Sequence, residues 1–330
     1  MATGAWGMLR GFLTLREGSV IVVTAIALIY FGASTTNFFS GSNFKNLLPY
    51  FAPYAIIAAG EVFVMILGEI DLSVGAMWLF TPFMWHTLHH AGIPIWPSVI
   101  LALLIATAIG AFNGFATAYI GIPSFVATLG TLFVFSGLTI VISHATQIST
   151  PGTSATHPST FANIWGAGQY SELIWALVLV AVLQIVLVLT RWGLYTIATG
   201  GNRFGAAEAG INTRLITVRN FMTAALLAGI AGVLEATRTT TATPDPTSAN
   251  NFLFFSIAAV IIGGTLMTGG EGTVVGALIG ALFLGILQDG LILKGVSSNY
   301  LDLYLGLAIL IAMVINVYVG RVRRGAGRGG

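Results

Sequence analysis

The segment 96–119 reads WPSVILALLIATAIGAFNGFATAY and contains no Asp, Glu, Lys or Arg. An α-helix needs roughly 20 apolar residues to cross the hydrocarbon core of a bilayer. A transmembrane barrel strand instead needs about 10 residues of alternating hydrophobicity. This segment is long enough for the helix, and its apolar residues do not alternate. It therefore predicts a membrane-spanning helix.

Similar apolar runs fill nearly the whole chain. Of its 330 residues, 56% are hydrophobic and only 7% are charged, whereas soluble domains carry about 25% charged residues. So few charges cannot cover a water-facing surface, and most of the surface must therefore face lipid. The 41 glycines agree with this, because small residues let membrane helices pack closely. The expected fold class is all-α: a polytopic membrane helix bundle of about ten transmembrane helices, forming one domain over 1–330.

The distribution of basic residues predicts the orientation. We place spans at 18–38, 47–68, 72–91, 96–119, 123–143, 171–190, 219–238, 252–268, 274–293 and 299–319. With the N-terminus inside, ten of the 13 Lys and Arg residues fall on the inner side and three on the outer side, which fits the positive-inside rule. Both termini, the loop 191–218 and the basic tail 321–330 are then cytoplasmic, and the Ser/Thr-rich loop 144–170 is extracytoplasmic.

The sequence lacks the residues that several classes of activity require. There is no cysteine, which excludes disulfides, thiol catalysis and zinc–thiolate sites. There is no Gly-x4-Gly-Lys-Ser/Thr phosphate loop, and no nucleophile–base pair presents itself. We expect no enzyme activity, cofactor or nucleic-acid partner for this chain, and anionic lipid as the partner of its basic tail.

Three histidines lie together at the outer end of the third span. Spacings of three and four residues bring two of His86, His89 and His90 onto one helix face, which makes a metal site conceivable. Trp85 and Trp96 lie nearby, and this mixture is typical of the aromatic and polar belt at a membrane interface. We therefore expect a belt and no metal.

Four sequence stretches occur in an order that resembles a known family. They are GEIDLSVG at 68–75, PSFVATLGT at 123–131, GGNRFGAAEAGIN at 200–212, and the glycine-rich 263–272 followed by GVSS at 295–298. Together they resemble the bacterial ABC-importer permeases of the ribose and simple-sugar class. The resemblance covers the chain from about residue 61 to 315.

The resemblance implies partners and a location. Such permeases pair as dimers in the bacterial plasma (inner) membrane, bind cytoplasmic subunits that hydrolyse ATP with magnesium, and receive a monosaccharide or polyol from an extracytoplasmic solute-binding protein. Their coupling segment docks on the ATPase. In this sequence that segment corresponds to Ala206, Ala207, Glu208, Ala209, Gly210 and Ile211, within a loop that the charge distribution independently places inside.

Two carboxylates inside spans are candidate path residues. A charged group in mid-membrane costs about 2.5–3.5 kcal/mol on insertion scales, and such groups tend to face the bundle interior or a water-filled path. Glu61 and Glu235 either line a path and bond sugar hydroxyls, or make structural hydrogen bonds between helices. They also leave open the alternative of a stand-alone, proton-coupled secondary transporter that uses one of them as its carrier.

The start of the third span carries a polar triplet, Glu69, Asp71 and Ser73. Side chains of these types can cap exposed N–H groups at a helix start. Alternatively, a broken helix with its N-terminus in a cavity can bind polar ligand groups. The stretch 68–76 is echoed at 269–277, which fits either a parallel repeat or a chance likeness between glycine-rich helices.

A second group opens the fifth span. Phe125, Thr128 and Thr131 combine an aromatic ring with hydroxyl groups, which suits the apolar face and polar edges of a sugar. The same residue types are also ordinary in packed membrane helices. Both interpretations stay open, and the sequence does not identify the solute.

Overall fold

A computed structural model of the protein describes residues 17–153 and 159–326, with side chains as far as residue 314. Arg10, Arg16 and the segment 327–330, on which part of the predicted orientation rests, lie outside the described residues. The described chain is almost wholly helical. Its helices are α1 Gly18–Ser34, α2 Gly41–Leu47, α3 Ala52–Ile66, α4 Ser73–His90, α5 Ile95–Phe115, α6 Ser124–Ile142, α7 Thr160–Ala162, α8 Ser171–Leu189, α9 Arg191–Gly201, α10 Arg203–Glu208, α11 Thr213–Arg238, α12 Pro246–Ile262, α13 Val274–Leu293 and α14 Ser298–Ala326.

The lengths and compositions of these helices confirm a polytopic, all-α membrane protein. Within the described parts of the chain, six helical segments are long and apolar enough to cross a bilayer. They are Gly41–Ile66, Ile95–Ile120, Ser124–Ile142, Ser171–Leu189, Thr213–Arg238 and Val274–Leu293. Shorter apolar helices run through Gly18–Ser34, Pro246–Ile262 and Ser298–Val314.

The loops between the long helices gather at two opposite ends of the bundle. One end, here called the Arg203 end, holds an ion pair between Arg203 and Glu69. The other, the Arg238 end, holds ion pairs from Arg238 to Glu172 and Glu235. A two-residue antiparallel pair, β1 Ile148–Ser149 with β2 Thr241–Ala242, also closes the Arg238 end.

Helix α11 forms the centre of the bundle and packs against α3, α4 and α5. Glycines allow these helices to approach backbone to backbone. A Cβ atom on Gly110 of α5 would lie 2.5 Å from the Phe221 carbonyl oxygen of α11. Gly232 of α11 packs in the same way on the carbonyl of Trp78. Close approach through small residues is how helices associate inside a membrane, where lipid supplies no hydrophobic drive.

The helix ends differ from the predicted span boundaries at several places, and three of them have a local cause. Helix α11 begins at Thr213 and not at 219, because the Asn212 side chain accepts the Leu215 N–H and caps the helix. Helix α12 covers Pro246–Ile262 instead of 252–268, because Asp245 caps its start and Pro246 occupies its first turn. The second predicted span is divided, since α2 and a 3₁₀ turn precede α3.

Candidate functional site

A cavity of about 360 Å³ opens at the Arg238 end. It lies between α4, the last turns of α11, β2 and the start of α12. Its apolar wall comes from α4, and its polar wall from the segment that joins α11 to α12. The lining residues are Trp78, Leu79, Pro82, Phe83, Gly232, Glu235, Ala236, Thr239, Thr241, Ala242, Thr243, Asp245 and Ser248.

The aromatic wall is held in place by stacking. The ring of Trp78 stacks on Phe252 of α12 with centroids 4.0 Å apart. Phe252 in turn packs against Tyr54 of α3 at 5.0 Å. Phe83 lies one helical turn beyond Leu79 and is 2% exposed. The wall is therefore a flat apolar surface with little freedom to move.

The acidic wall is built around Glu235. Its carboxylate pairs with the Arg238 guanidinium at 2.5 and 3.2 Å, and Arg238 also lies 3.3 Å from Glu172 of α8. The Thr239 hydroxyl lies 2.8 Å from the Glu235 carbonyl oxygen. The cation offsets the cost of holding two carboxylates in one place.

Asp245 completes this wall and builds the start of α12. Its carboxylate accepts the N–H groups of Thr247 and Ser248, at 2.9 and 3.2 Å, and the Ser248 hydroxyl at 2.7 Å. The Ser248 hydroxyl, followed by the two backbone N–H groups, holds the pKa of Asp245 below its ordinary value. Asp245 is therefore a fixed negative charge at the edge of the cavity.

Sequence reasoning named only Glu235 among these lining residues. Trp78, Phe83 and Asp245 were missed, although the Thr-rich stretch before α12 was a visible signal of polarity at this end. Their convergence depends on how α4 packs against α11 and α12, which no local pattern reveals.

Glu61 occupies a different part of the bundle. It lies in α3, is fully buried, and does not line this cavity. Its carboxylate lies beside Asp71, in the loop before α4. The proposed path role of Glu61 stays a prediction.

The polar triplet before α4 is part of a buried network. Asp71 accepts the Ser73 N–H at 2.8 Å and the Ser73 hydroxyl at 2.5 Å. Asn113 of α5 donates to the Ser73 hydroxyl at 2.9 Å and accepts from Thr131 of α6 at 2.6 Å. The network joins α4, α5 and α6. The sequence did not predict a role for Asn113, because a single Asn in an apolar run forms no distinctive pattern. Glu69 points elsewhere, to Arg203.

The remaining residues of the fifth predicted span separate into two groups. Thr128 is buried and bonds back to the Ser124 carbonyl oxygen at 2.8 Å. Phe125, by contrast, has 54% of its surface exposed on the outside of the bundle. The three residues therefore do not form one surface within a single copy of the chain, and their proposed path role stays a prediction.

At the opposite end of the bundle, the segment 203–212 forms a short projecting helix. Asn202 caps α10 by accepting the Gly205 N–H at 2.9 Å, and Gly210 ends it with φ of +84°. Ala206 faces inward and is buried, whereas Ala207, Glu208, Ala209 and Gly210 are exposed and Ile211 is half-buried. Phe204, which the sequence reasoning did not single out, is 75% exposed.

The histidines form no metal cluster in the part of the chain that the structure describes, where no group of three or more potential ligands occurs. His86 lies 3.0 Å from the Ser149 carbonyl oxygen and His89 3.0 Å from that of Ile93. His90 contacts the carbonyl oxygen of His86. The first two bonds tie α4 to the loops at the Arg238 end, whereas the third stays within α4.

A bundle of membrane-spanning helices with a polar cavity at one end and a projecting helix at the other defines a multi-pass transport permease. The comparisons specify the family. Residues 43–314 match the family described as the permease component of branched-chain amino acid transport systems, and the chain belongs to that family.

Curated relatives match along nearly their whole length. The xylose/arabinose import permease protein of Sulfolobus acidocaldarius is 32% identical over 92% of this chain and 86% of its own. The ribose import permease protein of Haemophilus influenzae is 33% identical, over 94% and 95%. The D-allose transport system permease protein of Escherichia coli is 29% identical, over 93% of both chains. No solved structure matches the chain significantly.

Proposed function

We propose that this chain is the membrane subunit of an ATP-driven importer for a monosaccharide or polyol. We choose a sugar as the solute because of the cavity at the Arg238 end. It combines the flat ring of Trp78 with the carboxylates of Glu235 and Asp245 and with hydroxyl groups. A sugar presents apolar C–H faces and donating hydroxyls, and this wall offers an aromatic face and acceptors.

A branched-chain amino acid, which the family description names, fits this cavity less well. Its carboxylate would need a cation, and no Lys or Arg is among the lining residues that the structure describes. The two acidic side chains could pair with its ammonium group, but they leave its carboxylate without a partner in the lining. The names of the xylose/arabinose, ribose and allose relatives support the same choice.

The proposal includes a ten-span topology. Ten helices within the described ranges have 15 or more residues, which supports this count, and an even number of spans would leave both termini on one side. Arg191, Arg203, Arg214 and Arg219 lie at or near the Arg203 end, which the positive-inside rule makes cytoplasmic. The loop 144–170 is then extracytoplasmic, and 1–330 forms one permease domain with the basic tail 321–330 inside.

The mechanism is alternating access driven by partners. A separate cytoplasmic subunit binds ATP and magnesium and docks on Ala206 to Ile211. An extracytoplasmic solute-binding protein delivers the solute, and two copies of the chain pair in a plasma (inner) membrane. Family membership favours this assembly over a stand-alone proton-coupled carrier.

The test is uptake into proteoliposomes that hold the chain with its ATPase subunit and binding protein. We expect ATP-dependent uptake of a labelled sugar from a panel of xylose, arabinose, ribose and allose, and no uptake of leucine. Uptake of leucine alone would refute the choice of solute. Uptake by the chain without the ATPase, driven by a proton gradient, would refute the importer.

Variants of the cavity test the site. Trp78→Leu removes the stacking face, and Asp245→Asn removes one negative acceptor while keeping a side chain that caps helices well. A hydrogen bond to a charged group contributes about 1.5–3 kcal/mol, so Asp245→Asn should weaken apparent solute affinity roughly 10- to 100-fold. Trp78→Leu should also weaken it, because the solute loses its stacking face. Phe254→Leu, on a side chain that is 61% exposed, is the matched control and should leave affinity unchanged.

A further inference from the structure

Three loops meet at the Arg203 end. The Gly270 N–H of the loop 263–273 donates to the carbonyl oxygen of Ile66, at the end of α3, at 2.8 Å. Gly200, at the end of α9, packs on the same carbonyl so closely that a Cβ atom would overlap it. The end of α9 is therefore wedged between the two loops that lead into α4 and α13.

Arg203 adds the only side-chain tie of α10 to the loop 67–72 that the described residues show. Its guanidinium lies 3.2 Å from a Glu69 carboxylate oxygen and donates to the Thr217 hydroxyl of α11 at 3.1 Å. Arg203 is also the first residue of α10. One side chain at the base of the projecting helix thus holds the loop before α4 and the first turns of α11.

The loop that contains Glu69 is stiff. The Glu69 N–H bonds back to the Val64 carbonyl oxygen at 3.3 Å, and the Ile70 N–H donates to the Ser124 hydroxyl at 3.3 Å. Asp71 then holds the start of α4 through Ser73. A displacement applied at Glu69 is therefore passed to the start of α4 rather than absorbed within the loop.

Helix α4 reaches the cavity at the opposite end. Trp78 lies five residues beyond Ser73, or about 7.5 Å along the axis at 1.5 Å per residue, and Phe83 lies further on. Pro82 lies inside α4 and removes one backbone hydrogen bond there. The cavity's aromatic wall thus lies on the helix into which the loop held by Arg203 leads.

The Arg203–Glu69 pair contributes little to stability as an ion pair. The two side chains are 44% and 16% exposed, and exposed pairs of this kind are weak. A weak bond with defined geometry can open and close within a transport cycle at little cost.

We propose that the Arg203–Glu69 ion pair transmits movement of the segment 203–212 to α4 and so to the aromatic wall of the cavity. This rests on the proposed function, because the movement originates in the ATPase subunit. Arg203 and Glu69 are positioning residues, and neither contacts solute.

The experiment measures solute transported per ATP hydrolysed by the complete importer in proteoliposomes. Variants Glu69→Gln and Arg203→Gln should assemble with the ATPase subunit and still hydrolyse ATP. An exposed pair of this kind is worth up to about 1 kcal/mol, a factor of up to about five, and we expect transport per ATP to fall by up to about fivefold. The exchange variant Glu69→Arg/Arg203→Glu restores the opposite charges and should recover most of the ratio.

Arg214→Gln is the control, because Arg214 is exposed at the same end but lies over the ring of Tyr119 instead of pairing with Glu69. It should keep the wild-type ratio. The inference is overturned if both single variants keep that ratio, if the exchange variant is no better than either, or if Arg203→Gln abolishes assembly, since Arg203 would then be a docking residue. Failure of the wild-type chain to bind any ATPase subunit would instead overturn the proposed function.

Discussion

The substitution Arg238→Gln should destabilise the bundle by leaving carboxylates without their cation. Arg238 holds Glu235 at 2.5 Å and Glu172 at 3.3 Å, and thereby joins α11 to α8. The Glu172 side chain is only 5% exposed. Once the guanidinium is removed, the Glu172 carboxyl has little access to water and must either take up a proton or stay charged without a partner, and both cost stability.

The size of the effect follows from the exposure of the partners. Breaking a fully buried pair costs about 3–5 kcal/mol, whereas exposed pairs contribute about 0–1 kcal/mol. Because the Arg238 side chain is 34% exposed, we expect the free energy of unfolding to fall by an intermediate amount of about 2–3 kcal/mol. Taking about 2 °C per kcal/mol for a large domain, the melting temperature should fall by about 5 °C.

The assay is thermal unfolding of the purified chain in nanodiscs at neutral pH. Arg219→Gln removes an exposed arginine from the same helix and serves as the control. In the double variant Glu172→Gln/Arg238→Gln the buried charge is gone, so part of the loss should be recovered. A single variant that melts within about 1 °C of wild type, or a double variant less stable than the single one, would refute the reasoning.

Two further predictions concern packing and capping. Gly110→Leu should prevent stable folding, because the leucine side chain would overlap the Phe221 backbone. Gly130→Leu should be tolerated, because nothing lies within 4 Å of that position. The yield of folded protein in size-exclusion chromatography distinguishes the two variants. Asp245→Ala should lower the free energy of unfolding by about 1 kcal/mol at pH 7, because the α12 cap is lost. The Ser248 hydroxyl lowers the folded-state pKa of Asp245. The Asp245 charge therefore stabilises the fold at pH values above the unfolded-state pKa. The difference in melting temperature between wild type and variant should shrink as pH falls below about 4.

Most helix positions could be predicted from the sequence, because the length and apolarity of a run decide whether it can span a bilayer. The prediction 171–190 and helix α8 at Ser171–Leu189 differ by a single residue. Boundaries failed where a cap and not hydropathy sets the helix start. Asp245 and Pro246 begin α12 six residues before the apolar run itself would require.

The candidate site could be predicted only in part. The coupling segment was assigned through the resemblance, and the bounds of its helix depend on two local signals, the Asn202 cap and the left-handed Gly210. The cavity was not predicted, because Trp78 and Asp245 are 167 residues apart in the chain and meet only when α4 and α12 pack together.

The sequence by itself determined that this protein lies mainly in lipid and is helical, since these properties depend on composition and run length. Only the tertiary structure decided which polar residues meet. It brings Asp245 and Glu235 to one cavity, joins Arg203 to Glu69, and leaves Glu61 outside that cavity. The reason is physical: contacts between helices depend on crossing geometry and on glycines that admit close approach, and neither is encoded in the hydropathy of a single run.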